Sequence, residues 1–216
     1  MQSPVAARLL DVSKLYGPAA ALRPTTTEFA AGRCYLILGE NGAGKSTLLR
    51  IIAGLAQPTS GKVLVFGEAP HEVRHRISYM GHETMLYDDM TARENLRYFA
   101  SLFPDGSCLT PEKSLQIVGL LPNLEKPIKA YSQGMRQRVS LARALMTQAD
   151  LLLLDEPFSN MDQRSTLQLI ALLQQLRSAG QTLLLTTHQA ELARPLADFT
   201  VTLEAGRIST ASEPAA

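Results

Sequence analysis

The stretch that decides the fold is Gly39-Glu40-Asn41-Gly42-Ala43-Gly44-Lys45-Ser46. It follows the apolar run 34–38 and precedes residues 45–53, whose leucines and isoleucine recur at helical spacing. Glycines at this spacing let the backbone curl so that several amide groups point at one anion. The helix that follows adds the positive end of its dipole at the same place. The pattern G-x-x-x-x-G-K-S between a strand and a helix predicts a phosphate-binding loop.

Three side chains at the end of this loop carry its predicted chemistry. Lys45 is placed to reach the β- and γ-phosphates of a nucleotide, and the Ser46 hydroxyl to ligate Mg²⁺. Thr47 would help to hold the α-phosphate. The expected cofactors are therefore ATP and Mg²⁺. The predicted nucleotide-binding residues of the loop are Gly39, Glu40, Asn41, Gly42, Ala43, Gly44, Lys45, Ser46 and Thr47.

Two carboxylates close a second apolar run, in which four leucines at 151–154 precede Asp155 and Glu156. Strands often end in acidic residues without further function. In a parallel sheet, however, the carboxyl end of this strand lies beside the phosphate loop. We therefore predict Asp155 as a Mg²⁺ partner and Glu156 as the base that polarises the attacking water. Lys45 and Glu156 are the first two predicted catalytic residues.

Apolar runs alternate with helical segments along the chain, and the central runs are apolar at every position. This pattern predicts an α/β fold, a P-loop NTPase with a mostly parallel sheet flanked by helices. An antiparallel β part at the N-terminus and a helical insert complete the prediction. The length of 216 residues suits a single domain, 1–216. Its core is expected at 1–76 and 146–216, with a helical subdomain at about 77–145.

The charge balance and the apolar runs limit the class of partner. Lysine and arginine number 21 against 20 acidic residues, so no basic field favours nucleic acid, and none is expected as a partner. The apolar runs are strand-sized and fall short of the ~20 residues that span a bilayer. If the protein works at a membrane, another subunit holds it there.

The segment Tyr131-Ser132-Gln133-Gly134-Met135 resembles the signature of the ATP-binding-cassette superfamily, whose usual form is Leu-Ser-Gly-Gly-Gln. Ser132 and Gly134 match, and the other three residues depart. The resemblance covers nearly the whole chain. It implies that Ser132, Gln133 and Gly134, at a helix N-terminus, face the γ-phosphate of ATP held by another subunit. An ATP-dependent head-to-tail dimer, homo- or heterodimeric, is the implied assembly.

Three further positions follow the order of the family. Tyr16 falls where an aromatic ring stacks on adenine, although a tyrosine there is equally compatible with a plain strand or loop. Asp162, at the end of Ser159-Asn160-Met161-Asp162, resembles the segment that crosses the dimer interface. His188 matches the switch histidine that contacts the γ-phosphate, and it is the third predicted catalytic residue.

One position departs from the family in a way that matters. A glutamine usually joins the core to the helical insert and contacts Mg²⁺ and the lytic water. In this chain His82 occupies the aligned position and Glu83 follows it. Three alternatives stay open: His82 replaces the glutamine as a hydrogen-bond donor or metal-facing ligand, Glu83 replaces it, or neither residue touches the nucleotide.

The resemblance leaves three classes of function, namely a transporter motor, a soluble ATPase acting on ribosomes or DNA, and a regulator of an envelope complex. A single cassette favours the transporter, with integral membrane permease subunits as partners and a location at the cytoplasmic face of the membrane. Residues 80–83 and 186–189 resemble the ATPase of the haem exporter of cytochrome c maturation, which gives the main hypothesis. The signature is shared with exporters of drugs, lipids and polysaccharides, which give the alternative.

A docking groove for the membrane partner is implied near residues 82–100. Methionine-rich contact surfaces adapt to their partners, although each candidate residue is equally compatible with the core of the insert. The candidate groove residues are Met80, Met85, Leu86, Tyr87 and Met90.

Overall fold

The structure, a computed structural model, describes residues 4–104, 106–122 and 125–212. Strands and helices alternate through most of this part of the chain. In chain order they are β1 (Val5–Tyr16), β2 (Ala19–Ala30), β3 (Cys34–Leu38), α1 (Lys45–Ile52), β4 (Ser60–Val65), β5 (Ile77–Met80), α2 (Ala92–Ala100), α3 (Pro111–Ile117), α4 (Gln133–Leu145), β6 (Leu151–Asp155), α5 (Gln163–Ser178), β7 (Thr182–Thr186), α6 (Ala190–Ala193), β8 (Phe199–Glu204) and β9 (Arg207–Ser212).

The larger sheet has six strands in the order β5-β6-β7-β3-β8-β9. The first five strands run parallel and β9 pairs antiparallel with β8. β3 lies between β7 and β8, so the phosphate-binding loop leaves the middle of the sheet. Asp155 at the end of β6 pairs with Thr186 at the end of β7. The predicted mostly parallel sheet and P-loop α/β fold are confirmed.

Both faces of this sheet are buried, which explains why β6 is apolar at every position. Leu151 and Leu153 pack into a core shared with α1 and the N-terminal strands. Leu152 and Leu154 pack into a second core shared with the helices on the opposite face. Because neighbouring side chains of a strand point to opposite faces, one run of leucines serves both cores.

The smaller sheet is antiparallel, in the order β2-β1-β4, and confirms the predicted N-terminal β part. β1 and β2 are joined at Gly17-Pro18, where Gly17 has a φ of 56°. Bulges interrupt the β1–β2 register at several points. The end of β1 thereby carries Tyr16 to the edge of the phosphate-binding loop.

The helical part is built from α2, α3 and α4 packed against one another. Thr91 begins α2 with a reciprocal capping box, in which Thr91 and Glu94 bond each other's backbone amides. β5 falls within the range of about 77–145 predicted for the helical subdomain, and it pairs with β6 in the larger sheet. The first helix of this part, α2, begins at Ala92. No helix in the described ranges is long and apolar enough to cross a membrane.

The candidate groove residues divide by burial. Met80 is fully buried in the core and cannot contact a partner, so its assignment to the groove is wrong. Met85 and Tyr87 are exposed. Leu86 and Met90 are half-buried. The exposed pair stays available to a membrane partner.

Candidate functional site

The shape of the phosphate-binding loop depends on two glycines that lie against other backbone segments. A Cβ on Gly39 would lie 2.3 Å from the Leu203 carbonyl oxygen, and one on Gly44 would lie 2.2 Å from that of Ala21. Both glycines have positive φ, 147° and 104°. Only glycine fits at both positions, because any side chain meets backbone atoms that cannot rotate away.

Replacing Gly44 with alanine is expected to lower the melting temperature by several degrees more than replacing Gly42. Both substitutions place a side chain at positive φ, which costs about 1–2 kcal/mol. Only Gly44 adds a backbone clash, since a Cβ on Gly42 has no heavy atom within 4 Å. For a domain of this size each kcal/mol shifts the midpoint by about 2–4 °C. Equal midpoints in thermal unfolding would refute the role of the close approach.

Lys45 begins α1 beneath the loop and is only 7% exposed. Its Nζ donates to the carbonyl oxygens of Gly39 at 2.6 Å and Glu40 at 3.1 Å. The ammonium group is thus held where the loop curls, with its charge directed to the concave side. This arrangement can bind the phosphates of a nucleotide.

The carboxylates of β6 lie next to one another at the carboxyl edge of the sheet. Asp155 is 2% exposed, and its Oδ1 accepts a hydrogen bond from Thr186 Oγ1 at 2.8 Å. The same Oγ1 accepts from the Glu156 amide at 3.0 Å. Asp155 Oδ2 is buried and has no hydrogen-bond partner among the described residues. A buried acceptor of this kind needs a donor or a cation.

That unpaired oxygen fits a Mg²⁺ ion, which prefers oxygen ligands and keeps several waters. Ser46, the second predicted ligand, lines the same cleft as Asp155. A Mg²⁺ ion held by Ser46 and Asp155 would take its other oxygen ligands from phosphates and water.

Glu156 is held in an unusual backbone conformation, with a φ of 54°. Its carbonyl oxygen accepts from Gln137 Nε2 at 3.1 Å, and its Oε2 accepts from the His188 amide at 3.1 Å. The His188 Nε2 lies 3.3 Å from Glu156 Oε1. Strained conformations of this kind persist where surrounding contacts hold them, often at functional sites. Glu156 and His188, two of the residues predicted to be catalytic, therefore lie in direct contact.

These groups share one open cleft of about 590 Å³. Every predicted residue of the phosphate-binding loop from Glu40 to Thr47 lines it, and Gly39 lies on the adjoining surface. His82 faces the cleft and Glu83 does not line it, which favours the first of the three alternatives. The cleft is lined by Tyr16, Ala21, Glu40, Asn41, Gly42, Ala43, Gly44, Lys45, Ser46, Thr47, His82, Asp155, Glu156, Ser159 and His188.

Exchanging His82 for glutamine should preserve hydrolysis within about threefold, because an amide can make the same single hydrogen bond to a cleft ligand. His82→Ala should lose activity by tenfold or more, in line with a lost hydrogen bond to a charged group. Steady-state ATPase assays distinguish the two. Glu83→Ala is the matched control, and a loss there instead of at His82 would favour the second alternative.

The predicted signature lies outside the cleft. Ser132 caps α4 through its hydroxyl, which accepts from the Met135 amide at 3.3 Å. Gln133 and Gly134 follow at the helix start, and a Cβ on Gly134 would lie 2.8 Å from the Asn160 carbonyl oxygen. One chain therefore does not bring its own signature to its own phosphate-binding loop.

Asp162, the predicted interface residue, caps α5. Its carboxylate accepts from the Ser165 hydroxyl at 2.7 Å and the Ser165 amide at 2.9 Å. The hydrogen bond from the Ser165 hydroxyl lowers the pKa of Asp162 most, and the one from the Ser165 amide lowers it further, so the pKa lies below its usual value. The Arg138 guanidinium lies 3.9 Å away. Asp162 is thus fixed and ionised on the surface beside the signature helix.

Four contributors to the site were not predicted. Thr186 ties the two carboxylates together, Gln137 holds the Glu156 carbonyl, and Ala21 and Ser159 line the cleft. Thr186 could have been predicted from the sequence, because it ends an apolar strand, and the end of that strand lies level with the acidic end of the neighbouring strand β6. The other three depend on contacts between distant segments.

Comparison with known families identifies the chain. The sequence profile of the family described as "ABC transporter" matches residues 22–159. The chain belongs to the ABC transporter family. As an ATPase of this family it brings together the phosphate-binding loop and the carboxylate pair in the cleft described above.

Relatives of this ABC transporter chain include three bacterial ATP-binding proteins. It is 35% identical over 215 residues to Nod factor export ATP-binding protein I of Cupriavidus metallidurans, covering 96% of this chain and 71% of that protein. It is 36% identical over 197 residues to NatA of Bacillus subtilis, covering 87% and 80%. It is 36% identical over 202 residues to the daunorubicin/doxorubicin resistance protein DrrA of Streptomyces peucetius, covering 90% and 61%.

Solved ABC cassettes share the fold. A dimeric ABC transporter cassette, MJ0796, superimposes with a TM-score of 0.88 at 24% identity, covering 97% of this chain and 99% of that one. The ATP-binding subunit of another ABC transporter gives a TM-score of 0.85 at 27% identity, covering 96% and 90%. The chain is accordingly an ATP-binding subunit of an ABC transporter, and the names of the three relatives above do not mention haem.

Proposed function

We propose that the chain hydrolyses ATP as a head-to-tail dimer and powers an exporter of drugs, lipids or polysaccharides. The observation that carries the proposal is the cleft in which the phosphate-binding loop, Asp155, Glu156 and His188 meet while Ser132 lies elsewhere. Permease subunits would hold the dimer at the cytoplasmic face of the membrane. Relatives named for Nod factor export and drug resistance support an exporter.

The proposed chemistry assigns each group one task. Tyr16 stacks on adenine, and Lys45 with the loop amides holds the phosphates. Ser46 and Asp155 would hold Mg²⁺, which would supply positive charge against the charge that develops on the phosphates. Glu156 accepts a proton from the attacking water, and His188 contacts the γ-phosphate while lying against Glu156.

The dimer completes the site by supplying a helix N-terminus from the second chain. Since α4 has no acidic residue in its first turn, the positive end of its dipole beside Ser132 can attract an anion. Because this surface does not line the chain's own cleft, only a partner can place it against the γ-phosphate. Asp162 caps the adjacent helix and would lie at the same interface.

Ser132→Arg should leave nucleotide binding by the monomer within about twofold and abolish ATP-dependent dimerisation and hydrolysis. A long cation at the interface excludes the partner's loop, whereas loss of the helix cap costs only about 1 kcal/mol. Ser132→Ala loses the same cap without added bulk and is the control. Nucleotide binding follows from fluorescence titration and dimerisation from gel filtration. Loss of monomer binding in Ser132→Arg would contradict the assignment in trans.

A haem exporter of the cytochrome c maturation type is the second candidate. One observation favours it: His82, preceded by Gly81, faces the cleft at the position where that group resembles this chain. Under this reading the ATPase would release a haem-loaded chaperone and need not move haem itself. The names of the relatives support the first candidate better.

A pull-down tests the proposal. Tagged Glu156→Gln protein would be added to native membranes with MgATP, solubilised and captured, with Ser132→Arg as the control that cannot dimerise. Recovery of integral permease subunits without a haem absorption band supports the exporter. A haem band supports the second candidate. Recovery of ribosomes, DNA or soluble proteins alone would overturn both.

A further inference from the structure

One side of the signature helix α4 lies against the segment that carries the proposed base. Gln137 is only 4% exposed, and its Nε2 donates to the Glu156 carbonyl oxygen at 3.1 Å. Gly134 stands three residues earlier on the same side of the helix. A Cβ on Gly134 would lie 2.8 Å from the Asn160 carbonyl oxygen. Both contacts are made to backbone atoms, so they constrain the path of the chain after β6.

A second tie joins α4 to the far end of this segment. Arg138, the residue after Gln137, donates from its guanidinium to the Ser165 hydroxyl. That hydroxyl donates in turn to the Asp162 carboxylate at 2.7 Å. The second turn of α4 is therefore bonded both to the residue that follows β6 and to the first turn of α5.

Glu156 needs support from its surroundings, because a φ of 54° is unfavourable for a residue with a side chain. Its amide donates to Thr186 Oγ1 at 3.0 Å, and its carbonyl oxygen accepts from the Ser159 amide at 3.2 Å as well as from Gln137. Its Oε2 accepts from the His188 amide. Thr186 and His188 come from the end of β7, and Ser159 from the turn itself. Gln137 adds a donor from the helical part.

The direction of the Glu156 side chain depends on this backbone. The peptide whose carbonyl Gln137 holds is bonded to the Glu156 Cα, so its rotation would swing the carboxylate away from the attacking water. A general base must stand within hydrogen-bond reach of the proton that it takes. Gln137 does not line the cleft, so it can influence the reaction only through Glu156 and the turn that follows it.

We propose that Gln137 is a positioning residue that holds the base of its own chain and thereby connects that base to the signature helix. The inference rests on the proposed function, in which Ser132 and the start of α4 face the ATP of the partner. Each α4 then serves two ATP sites. Its first turn faces the ATP of the partner, and its second turn fixes Glu156 at the ATP of its own chain.

Gln137→Met removes the amide donor and keeps the length and approximate volume of the side chain. It should lower kcat for ATP hydrolysis about tenfold and leave ATP binding within about twofold, because a small displacement of a reacting group slows the chemical step without changing the phosphate contacts. Steady-state assays and titration with a fluorescent ATP analogue measure the two effects.

Gln181→Met is the matched control. The Gln181 Nε2 also donates to a backbone carbonyl oxygen, that of Ala149, at 2.7 Å, but this residue precedes β7 and does not line the cleft. The substitution should lower the melting temperature without changing kcat. An unchanged kcat in Gln137→Met, or an equal fall in Gln181→Met, would overturn the inference.

Mixtures of two chains separate an effect on the chain's own base from an effect on the partner's site. In the first mixture, a limiting Gln137→Met chain pairs with an excess of the Glu156→Gln chain, so rapid hydrolysis uses the Glu156 beside the altered helix. In the second, a limiting unaltered chain pairs with an excess of a chain carrying both substitutions, so the altered helix only faces its ATP from the partner.

Single-turnover hydrolysis should be about tenfold slower in the first mixture than in a reference of unaltered chain with excess Glu156→Gln. The second mixture should match the reference. Slow hydrolysis in the second mixture, or equal rates in the two, would place the effect of Gln137 elsewhere and overturn the inference. Failure of the unaltered chain to hydrolyse MgATP, alone and in the reference mixture, would instead overturn the proposed function.

Discussion

Replacing Glu156 with glutamine is expected to slow ATP hydrolysis by about 100- to 10,000-fold, the contribution of a positioned general base. Binding of ATP should be unchanged, because the amide keeps the size of the side chain and its acceptor for the His188 amide. The ATP-bound dimer should therefore accumulate. Single-turnover hydrolysis and gel filtration in MgATP measure the two effects.

Glu68 provides the control for this substitution. It is an exposed glutamate just after β4 and does not line the cleft. Glu68→Gln should alter hydrolysis by less than about threefold, as is usual for an exposed side chain away from the reacting atoms. A Glu156→Gln protein that stays monomeric in MgATP and still turns over ATP would refute the role of Glu156.

Lys45→Ala is expected to weaken ATP binding by about 10- to 100-fold, since a hydrogen bond to a charged group contributes about 1.5–3 kcal/mol. Two effects add here. The phosphates lose a buried cation, and the carbonyl oxygens of Gly39 and Glu40 lose the donor that holds the loop. Equilibrium titration with a fluorescent ATP analogue measures the loss.

The control for Lys45 is Lys62, an exposed lysine on β4 in the antiparallel sheet. Lys62→Ala removes the same charge from the molecule without touching the cleft, so affinity should stay within about twofold of the unaltered chain. Melting temperatures of both variants separate lost binding from lost folding. Unchanged ATP affinity in a folded Lys45→Ala protein would undo the assignment of the phosphate site.

Much of the site was predictable because its residues occupy fixed places along single elements. The loop follows β3 and opens α1, and the acidic pair ends β6, so strand direction alone brings them together. The β8–β9 hairpin and the turn at Gly17-Pro18 likewise depend on residues adjacent in sequence.

Other features depend on contacts that no local pattern contains. Thr186 meets Asp155 only because β7 lies beside β6. Gln137 reaches Glu156 only because the fold places α4 beside the end of β6. Met80 is buried because β5 pairs with β6 in the larger sheet. This pairing was not predicted, because the residues that follow β5 have a helical pattern. Sequence periodicity indicates which face of a helix or strand is buried. It does not indicate which other elements pack against that face.

The choice between substrates illustrates the same limit. Residues 80–83 and 186–189 suggested haem, whereas relatives that align along most of the chain are named for Nod factor export or drug resistance. Both candidate functions would use the same ATP-binding cleft. In the proposed assembly the permease subunits would contact the substrate, so the ATP-binding chain would carry little information about it.

The position of β3 also constrains the order in which this protein matures on the ribosome. The strand that leads into the phosphate loop pairs with residues 183–186 on one side and 199–202 on the other. Gly39 of the loop lies against the Leu203 carbonyl, and the Ala43 carbonyl oxygen accepts a hydrogen bond from the Gly206 amide. Although the loop is synthesised early, its supports emerge more than a hundred residues later. The phosphate loop of a nascent chain therefore lacks its supporting contacts until the residues of the β8–β9 hairpin have been synthesised.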